Sequence, residues 1–270
     1  MGAPLAPSVM RLNAALTAGA AGSVLAAMLL VARPGAAGSS SLLAASTTQG
    51  FRRFVWEPNV PYDGKFTFAR LSYTVYGRQS GWEFDYPAME RHLMTMLEEI
   101  TELQPHRTGS NIHAMDDPEL LKYPVAYLSE PGFWHPNESE VIGLRTYLQK
   151  GGFLIVDDFM RNEWYNFEQQ MLRVLPGANI EYLTLGHPVF DSFFKIESLD
   201  MPYPNRPNLR AEFLGIHEDN DPSKRLMVVI NYNNDIGDYM EWSDQNFWPV
   251  NITNDAYKFA INYIFYGMTH

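Results

Sequence analysis

Polar and ionisable side chains follow several apolar runs in this sequence, and they are the first candidates for chemistry. Ser129 and Glu130 come directly after the run YPVAYL. Asp157 and Asp158 come directly after FLIV, and His187 follows IEYLT. Sites in open parallel sheets lie at the carboxyl ends of strands, so a serine, an aspartate and a histidine there could form a hydrolytic triad.

The serine lacks the local sequence that a nucleophile needs. It does not stand in a Gly-x-Ser-x-Gly elbow, because its neighbours are Leu128 and Glu130. Pro131 follows two residues later, which removes the sharp strand-to-helix turn that presents a catalytic oxygen. We therefore predict that Ser129 caps the strand end and that Ser129→Ala keeps the biological role. No residue is assigned a catalytic role.

The Asp157–Asp158 pair has two interpretations. With Glu163 nearby, its carboxylate oxygens could bind a divalent cation. Alternatively, one aspartate forms a turn and caps the following helix, which is a common use of aspartate. We favour the second interpretation and predict no metal site and no cofactor. The step from His187 to Pro188 is likewise interpreted as a structural turn.

The order of predicted elements indicates an α/β domain. Asp85 is interpreted as a helix cap, Asn137 and Glu140 form a capping-box pair, and Asn254 caps the last helix, residues 256–268. Short, continuous apolar strands alternate with the helices, which is typical of strands buried on both faces. We predict a doubly wound, mostly parallel sheet with helices on both faces. The predicted strands are residues 66–75, 123–128, 153–156, 180–184 and 226–232.

A hydrophobic segment precedes the domain. Residues 12–32 carry no charged side chain, begin with Leu12, end with Ala32 and are long enough to span a bilayer as a helix. Arg11 before them favours a cytoplasmic N-terminus. We predict an inner-membrane anchor with the domain in the periplasm. The alternative is a signal peptide cleaved near residues 35–37, which would release the protein from the membrane.

This segment divides the chain into three predicted parts: a signal-anchor or signal peptide in residues 1–33, an Ala/Gly/Ser-rich tether in residues 34–57 and the α/β domain in residues 58–270. The net charge of −11 repels phosphate backbones, so we expect no nucleic-acid partner. The absence of cysteine excludes disulfides, a thiol nucleophile and thiolate metal sites.

Six aromatic residues in predicted loops are candidates for an interface with a protein partner, and the four tryptophans among them are the predicted interface residues: Trp82, Trp134, Trp242 and Trp248, with Phe133 and Phe247 as further candidates. Tryptophan contributes strongly to binding when it stands outside the core. The equally weighted alternative is that these rings fold back and cover the core. Trp134 and Trp248 are the first choices, since both flank prolines in loops that look rigid.

Several stretches together resemble a bacterial family of unknown function whose domain is related to class I glutamine amidotransferases. They are YDGKFTFAR from Tyr62, DYP from Asp85, YP from Tyr123, EPG from Glu130, LRTYLQKGGF from Leu144, DDF from Asp157, HPVF from His187 and NYNNDIG from Asn231. The resemblance covers about residues 58–270. It implies a flavodoxin-like sheet but no reaction, because the amidotransferase cysteine is missing.

Three functions remain open from the sequence. The leading hypothesis is a non-enzymatic binding or accessory domain, tethered at the membrane as an extrinsic subunit of a larger complex, for example a bioenergetic one. The second is a hydrolase-like enzyme that uses the Ser, Asp and His candidates at the strand ends. The third is a carbohydrate-binding module, which the content of Asn, Asp and Trp suggests.

Overall fold

The computed structural model describes residues 56–74 and 81–270. In those residues the strands are β1 (Ala69–Ser72), β2 (Asn111–Ala114), β3 (Val125–Ser129), β4 (Phe153–Phe159), β5 (Glu181–Tyr182), β6 (Pro202–Tyr203), β7 (Arg206–Arg210), β8 (Glu212–His217) and β9 (Leu226–Tyr232). The α-helices there are α1 (Ala88–Ile100), α2 (Glu138–Gln149), α3 (Glu163–Val174), α4 (Ile236–Glu241) and α5 (Val250–Thr269). The predicted helix in residues 12–32 lies outside the described residues. Within them, no helix has both the length and the apolar character needed to cross a bilayer.

Seven strands form one sheet in the order β2-β1-β3-β4-β9-β8-β5, and β6 pairs with β7 separately. The strands from β2 to β9 in this order pair in parallel, whereas β8 is antiparallel to both of its neighbours. The parallel part has the flavodoxin-like order, with β9 in the fifth place. The predicted mostly parallel sheet is confirmed. Ser129 lies opposite Asp157 in parallel register, so their strand ends share one edge, as predicted.

Helices cover both faces of the sheet. On one face, α1, α4 and α5 pack against side chains such as Tyr127 and Ile155. On the other face, α2 and α3 pack against side chains such as Leu128 and Val156. Both β3 and β4 are buried along their whole length, as their continuous apolar sequences indicate. The carboxyl ends of these strands therefore lie between two helical layers.

The segment before β1, around Asn59 and Val60, covers the edge of the sheet that β2 forms. Asn59 Nδ2 donates to Ile112 O at 2.9 Å, and Asn59 Oδ1 accepts from Ile112 N at 2.8 Å. Val60 exchanges two further hydrogen bonds with the side chain of Asn111, one through its N–H and one through its carbonyl. The Asn59 side chain thus pairs with β2 as the backbone of a neighbouring strand would.

The final helix and five other elements differ from the sequence prediction. Helix α5 begins at Val250, because Pro249 directly before it has a φ of −57°, suited to a helix entry, and Asn254 lies inside the helix. The sequence pattern misses β2, which has only four residues, and the separate pair of β6 and β7. It also misses β8, which contains a central glycine, and α4, which is too short to show a helical period. The capping box of Asn137 and Glu140 is confirmed.

Gly143→Ala should destabilise the domain, because α2 approaches the chain after β2 closely at this residue. An added Cβ would lie 2.3 Å from Met115 O and 2.6 Å from Asp116 Cα, and backbone atoms cannot move aside easily. We expect a loss of about 1–3 kcal/mol in urea unfolding, net of the helix preference of alanine. The matched control is Gly186→Ala, whose Cβ would meet no atom within 4 Å. Equal midpoints for the two variants would contradict the expected close contact.

Candidate functional site

Asp157 lies at the centre of the carboxyl edge and is fully buried. Its Oδ2 accepts hydrogen bonds from Tyr127 Oη at 2.9 Å and from the Ile236 and Gly237 amides at 3.0 and 3.1 Å. Its Oδ1 accepts one from Asn231 Nδ2 at 3.0 Å. Burial raises the pKa of Asp157, and these donors oppose that effect. Because its oxygens are already occupied by donors, Asp157 connects β3, β4, β9 and α4 rather than facing a ligand.

Asp158 departs from the regular alternation of β4. Val156 and Phe159 both face the layer of α2 and α3, and the register with β9 shifts between them. Asp158 has a φ of 59°, in the left-handed region, so a β-bulge stands here. Asp158 is 6 % exposed, and its Oδ1 accepts a hydrogen bond from Tyr203 Oη at 3.2 Å. The bulge places both neighbouring aspartates at the same edge of the sheet.

Carboxylates from separate segments converge beyond this bulge. One oxygen each from Asp85, Asp158 and Asp235 lie within 4.8 Å of one another. We call these three residues the inner acidic cluster. Asp85 also forms a group of the same spacing with the half-buried Asp238 and Glu241, which we call the outer acidic group. Carboxylate oxygens at such spacing could hold a metal ion.

The inner acidic cluster is electrostatically unfavourable when all its members are ionised. Burial and then the charge of Asp157 raise the pKa of Asp158 to about 7. Burial and then the charges of Asp158 and Asp85 raise the pKa of Asp235 well above its usual range. Burial and Asp158 raise the pKa of Asp85 in the same way, against the opposing effect of Arg70. Like charges this close require a neutralising partner, either protons or a cation.

Arg70 fixes the loop that carries Asp85. Its fully buried guanidinium donates from Nε to Glu90 and from Nη1 to the carbonyls of Trp82 and Phe84, at 2.7 and 2.9 Å. The planar fork of arginine suits several acceptors at once. Among the described residues, Nη2 of Arg70 has no hydrogen-bond partner, and the buried Oδ2 of Asp85 has no donor.

The two predicted site residues Ser129 and His187 lie at opposite ends of the strands, Ser129 at the carboxyl edge and His187 near the amino end of β9. Ser129 is fully buried, and its Oγ donates to Asp158 Oδ2 at 3.4 Å. His187 Nε2 lies 3.1 Å from Nε2 of His217, the last residue of β8. Because β8 is antiparallel, His217 pairs with Leu226 at the amino end of β9, away from the carboxyl edge. The Ser, Asp and His candidates therefore do not form a triad. Burial and then His217 lower the pKa of His187 to about 4.

Glu130 directly follows β3 and has a left-handed backbone, with φ 52° and ψ 47°. Tyr73 Oη donates to its carbonyl at 2.6 Å. Burial, followed by the charges of Asp158 and Glu163, raises the pKa of the Glu130 carboxyl to about 9. A carboxyl with this pKa is protonated at neutral pH, so Glu130 adds a proton donor beside the acidic cluster.

Trp134 does not present its ring at an interface, contrary to the sequence prediction. The ring is fully buried in the core layer of α2 and α3. The three residues before it form a short 3-10 turn, and Asn166 of α3 donates to the carbonyls of Pro131 and Trp134 at 3.1 and 2.8 Å. These contacts hold the loop against α3 and direct the ring inward, so Trp134 is a packing residue.

The other predicted tryptophans are half-buried. Trp82 packs on Trp56, with 4.5 Å between ring centroids. Trp242 and Trp248 both contact the ring of Phe247, which is 61 % exposed. We call Trp242, Phe247 and Trp248 the aromatic patch. Its exposed member, Phe247, is one of the loop aromatics that the sequence indicates as candidates for an interface.

A family model described as a domain of unknown function, DUF4159, matches residues 67–268. The chain belongs to the DUF4159 family. Every residue of the inner acidic cluster lies inside the matched region of this DUF4159 domain. The predicted membership of a family of unknown function is confirmed. The comparison with curated proteins gives no match.

Of the three cluster residues of this DUF4159 domain, Asp158 is predicted from the sequence as a site residue, whereas Asp85 and Asp235 are not. From the sequence alone, Asp85 is interpreted as a helix cap and Asp235 as part of a polar turn. A signal was available, because both stand in short stretches, DYP and NYNNDIG, that carry the family resemblance together with the Asp157 stretch. The structure brings these three stretches to one edge.

Asp157→Asn should destabilise the DUF4159 domain. Either orientation of the new amide places an N–H group against at least one existing donor, which leaves buried polar groups unpaired. We expect a loss of about 1–3 kcal/mol in urea unfolding. Asp191→Asn, at an exposed position, is the control for the lost charge and should unfold as the natural chain does. If Asp157→Asn unfolds at the same urea concentration as that control, the four hydrogen bonds do not stabilise the fold as described.

Proposed function

We propose that this chain is a membrane-tethered, non-enzymatic binding domain that faces the periplasm as an extrinsic subunit of a larger membrane complex, for example a bioenergetic one. The observation that carries the proposal is the chemistry of the carboxyl edge. A serine hydrolase needs an exposed hydroxyl with a neighbouring base. Here Ser129 is buried against a carboxylate, while His187 bonds to His217 elsewhere.

The proposed domain uses two surfaces. The acidic residues at the carboxyl edge are its ligand site, since they converge there and the buried Asp85 Oδ2 has no donor among the described residues. The aromatic patch is its docking surface for the complex. Phe247 and the neighbouring Val250 are 61 % and 65 % exposed, and half-buried tryptophans stand beside them. Such a mixture of anchored and exposed rings is typical of protein interfaces.

We further propose that the domain shares its origin with class I glutamine amidotransferase domains. Two features support this relation. The parallel strands have the flavodoxin-like order, and Glu130 takes a left-handed backbone directly after β3. An amidotransferase carries its cysteine nucleophile on such a strand-end elbow. The present chain has no cysteine, so the relation extends to the fold and not to thiol chemistry.

One observation favours a hydrolase-like enzyme as a second candidate function. Glu130 occupies a strained turn at the strand end, and burial keeps its carboxyl protonated near neutral pH. A positioned, protonated carboxyl is the group that general-acid catalysis requires. In this alternative Glu130 donates a proton to a substrate at the carboxyl edge.

The tether is tested on the full-length chain. A reporter enzyme that is active only outside the cytoplasm, fused after His270, should be active because the uncharged residues 12–32 follow Arg11. The protein should remain in the membrane fraction with residues 12–32 in its intact mass. A mature N-terminus near Gly38 or Thr47 would contradict the anchor, and an inactive reporter would contradict export.

The binding role is tested with three variants of the full chain in its native host. Phe247→Ala should weaken retention of co-purifying membrane proteins by about tenfold or more, because exposed aromatic anchors contribute strongly to docking. Ser129→Ala and Glu130→Gln should keep both retention and phenotype. A folded Glu130→Gln variant that loses the phenotype while Phe247→Ala behaves normally would favour the enzyme and refute the binding subunit.

A further inference from the structure

We propose that the inner acidic cluster binds one divalent cation, calcium, through the carboxylates of Asp85, Asp158 and Asp235. This inference rests on the proposed binding role of the carboxyl edge and names its ligand. The three residues come from separate segments: the loop before α1, the bulge in β4 and the start of α4. One oxygen from each lies within 4.8 Å of the others.

A second observation points to a ligand at the same place. The carboxylate of Asp85 contributes one oxygen to the cluster, and its buried Oδ2 has no hydrogen-bond donor among the described residues. Leaving a buried carboxylate oxygen without a partner is costly. Asp157, a few ångströms away in the same edge, shows the contrast, because both of its oxygens accept hydrogen bonds. A cation would supply the partner that Asp85 lacks.

The surrounding charges favour the same ligand. Three carboxylates act on Asp85 as like charges, those of Asp158, Asp238 and Glu241, against the single guanidinium of Arg70. Arg70 already donates to Glu90 and to two carbonyls. A divalent ion would neutralise two of these negative charges at once and would bring together chain segments that repel one another without it.

The chemistry favours calcium over magnesium. Calcium takes six to eight oxygen ligands in flexible geometry. Magnesium requires a tighter octahedron and usually keeps several waters. The cluster offers carboxylates from three segments, with Ser129 Oγ and Tyr203 Oη already at hydrogen-bond distance from Asp158. Such a mixed oxygen site suits the larger ion.

Burial also limits the size of the ligand. Asp158 and Asp235 are 6 % and 7 % exposed, so a single ion fits where a sugar would not. The outer acidic group provides the approach, because Asp238 and Glu241 are half-buried and share Asp85 with the inner cluster. An ion would pass from these two residues to the inner position through one common ligand.

The test is a thermal unfolding and calorimetric titration with calcium chloride and, separately, with magnesium chloride. The full-length chain is purified in detergent, treated with a chelator and dialysed. Calcium at a hundredfold excess over its Kd should raise Tm by about 5–10 °C. Asp235→Asn and Asp85→Asn should bind calcium about tenfold more weakly or worse, and they should lose the Tm rise. In chelator these variants should still unfold in one cooperative transition, so a lost calcium response reports the site and not a misfolded chain.

Asp191→Asn is the matched control and should respond to calcium as the natural chain does, since Asp191 is exposed and distant in sequence from the cluster residues. The absence of a calcium response in the natural chain, an undiminished response in both cluster variants, or a response to magnesium alone would each overturn the assignment. Retention of membrane partners is measured in parallel. Partner retention that persists without calcium binding leaves the binding subunit standing and removes only the cation.

Discussion

Four hydrogen bonds to one buried carboxylate, that of Asp157, connect the middle of the sheet to helix α4. The connection continues outward, because Asn231 also accepts a hydrogen bond from Tyr263 of α5 at 2.8 Å. With α4 held in this way, its first residues lie against the carboxyl edge, and Gly237 comes close to Asp85. A Cβ on Gly237 would lie 2.4 Å from Asp85 Oδ2, so only glycine leaves room for that approach.

The same edge concentrates strain as well as charge. Asp85, Glu130 and Asp158 all have positive φ angles, a backbone region that residues other than glycine adopt uncommonly, aspartate and asparagine more often than the rest. Each such residue costs free energy that the packed layers on both faces of the sheet must offset. The buried β3 and β4 provide that packing, because every residue of both strands is buried. A rigid, apolar frame thus holds a small polar region in an arrangement that it would not adopt alone.

The sequence predicts the frame better than the site, for a physical reason. Apolar runs report burial, so the strands at residues 153–156 and 226–232 are evident from the sequence, and parallel pairing then places Ser129 beside Asp157. A bulge leaves no mark in hydrophobic periodicity, so the turn of Asp158 towards Asp235 could not be predicted. Nor does an apolar run reveal the path of the chain after a strand. β5 runs in the direction of the parallel strands, but the chain turns after it, and His187 meets His217 near the amino end of β9. Trp134 is misplaced for a related reason, because a loop sequence does not tell which way a ring points.

The side chain of Asn59 has a consequence for how copies of this domain meet. An unpaired sheet edge offers backbone groups to any passing strand and is a route to polymerisation. The Asn59 side chain makes the two hydrogen bonds to the Ile112 backbone that a neighbouring strand would make. A side chain offers no further row of backbone groups, so another strand cannot pair beyond it. At the other end, β5 has two residues and gives a poor template. At high local concentration, copies of this domain would therefore not polymerise by pairing the edges of their central sheets.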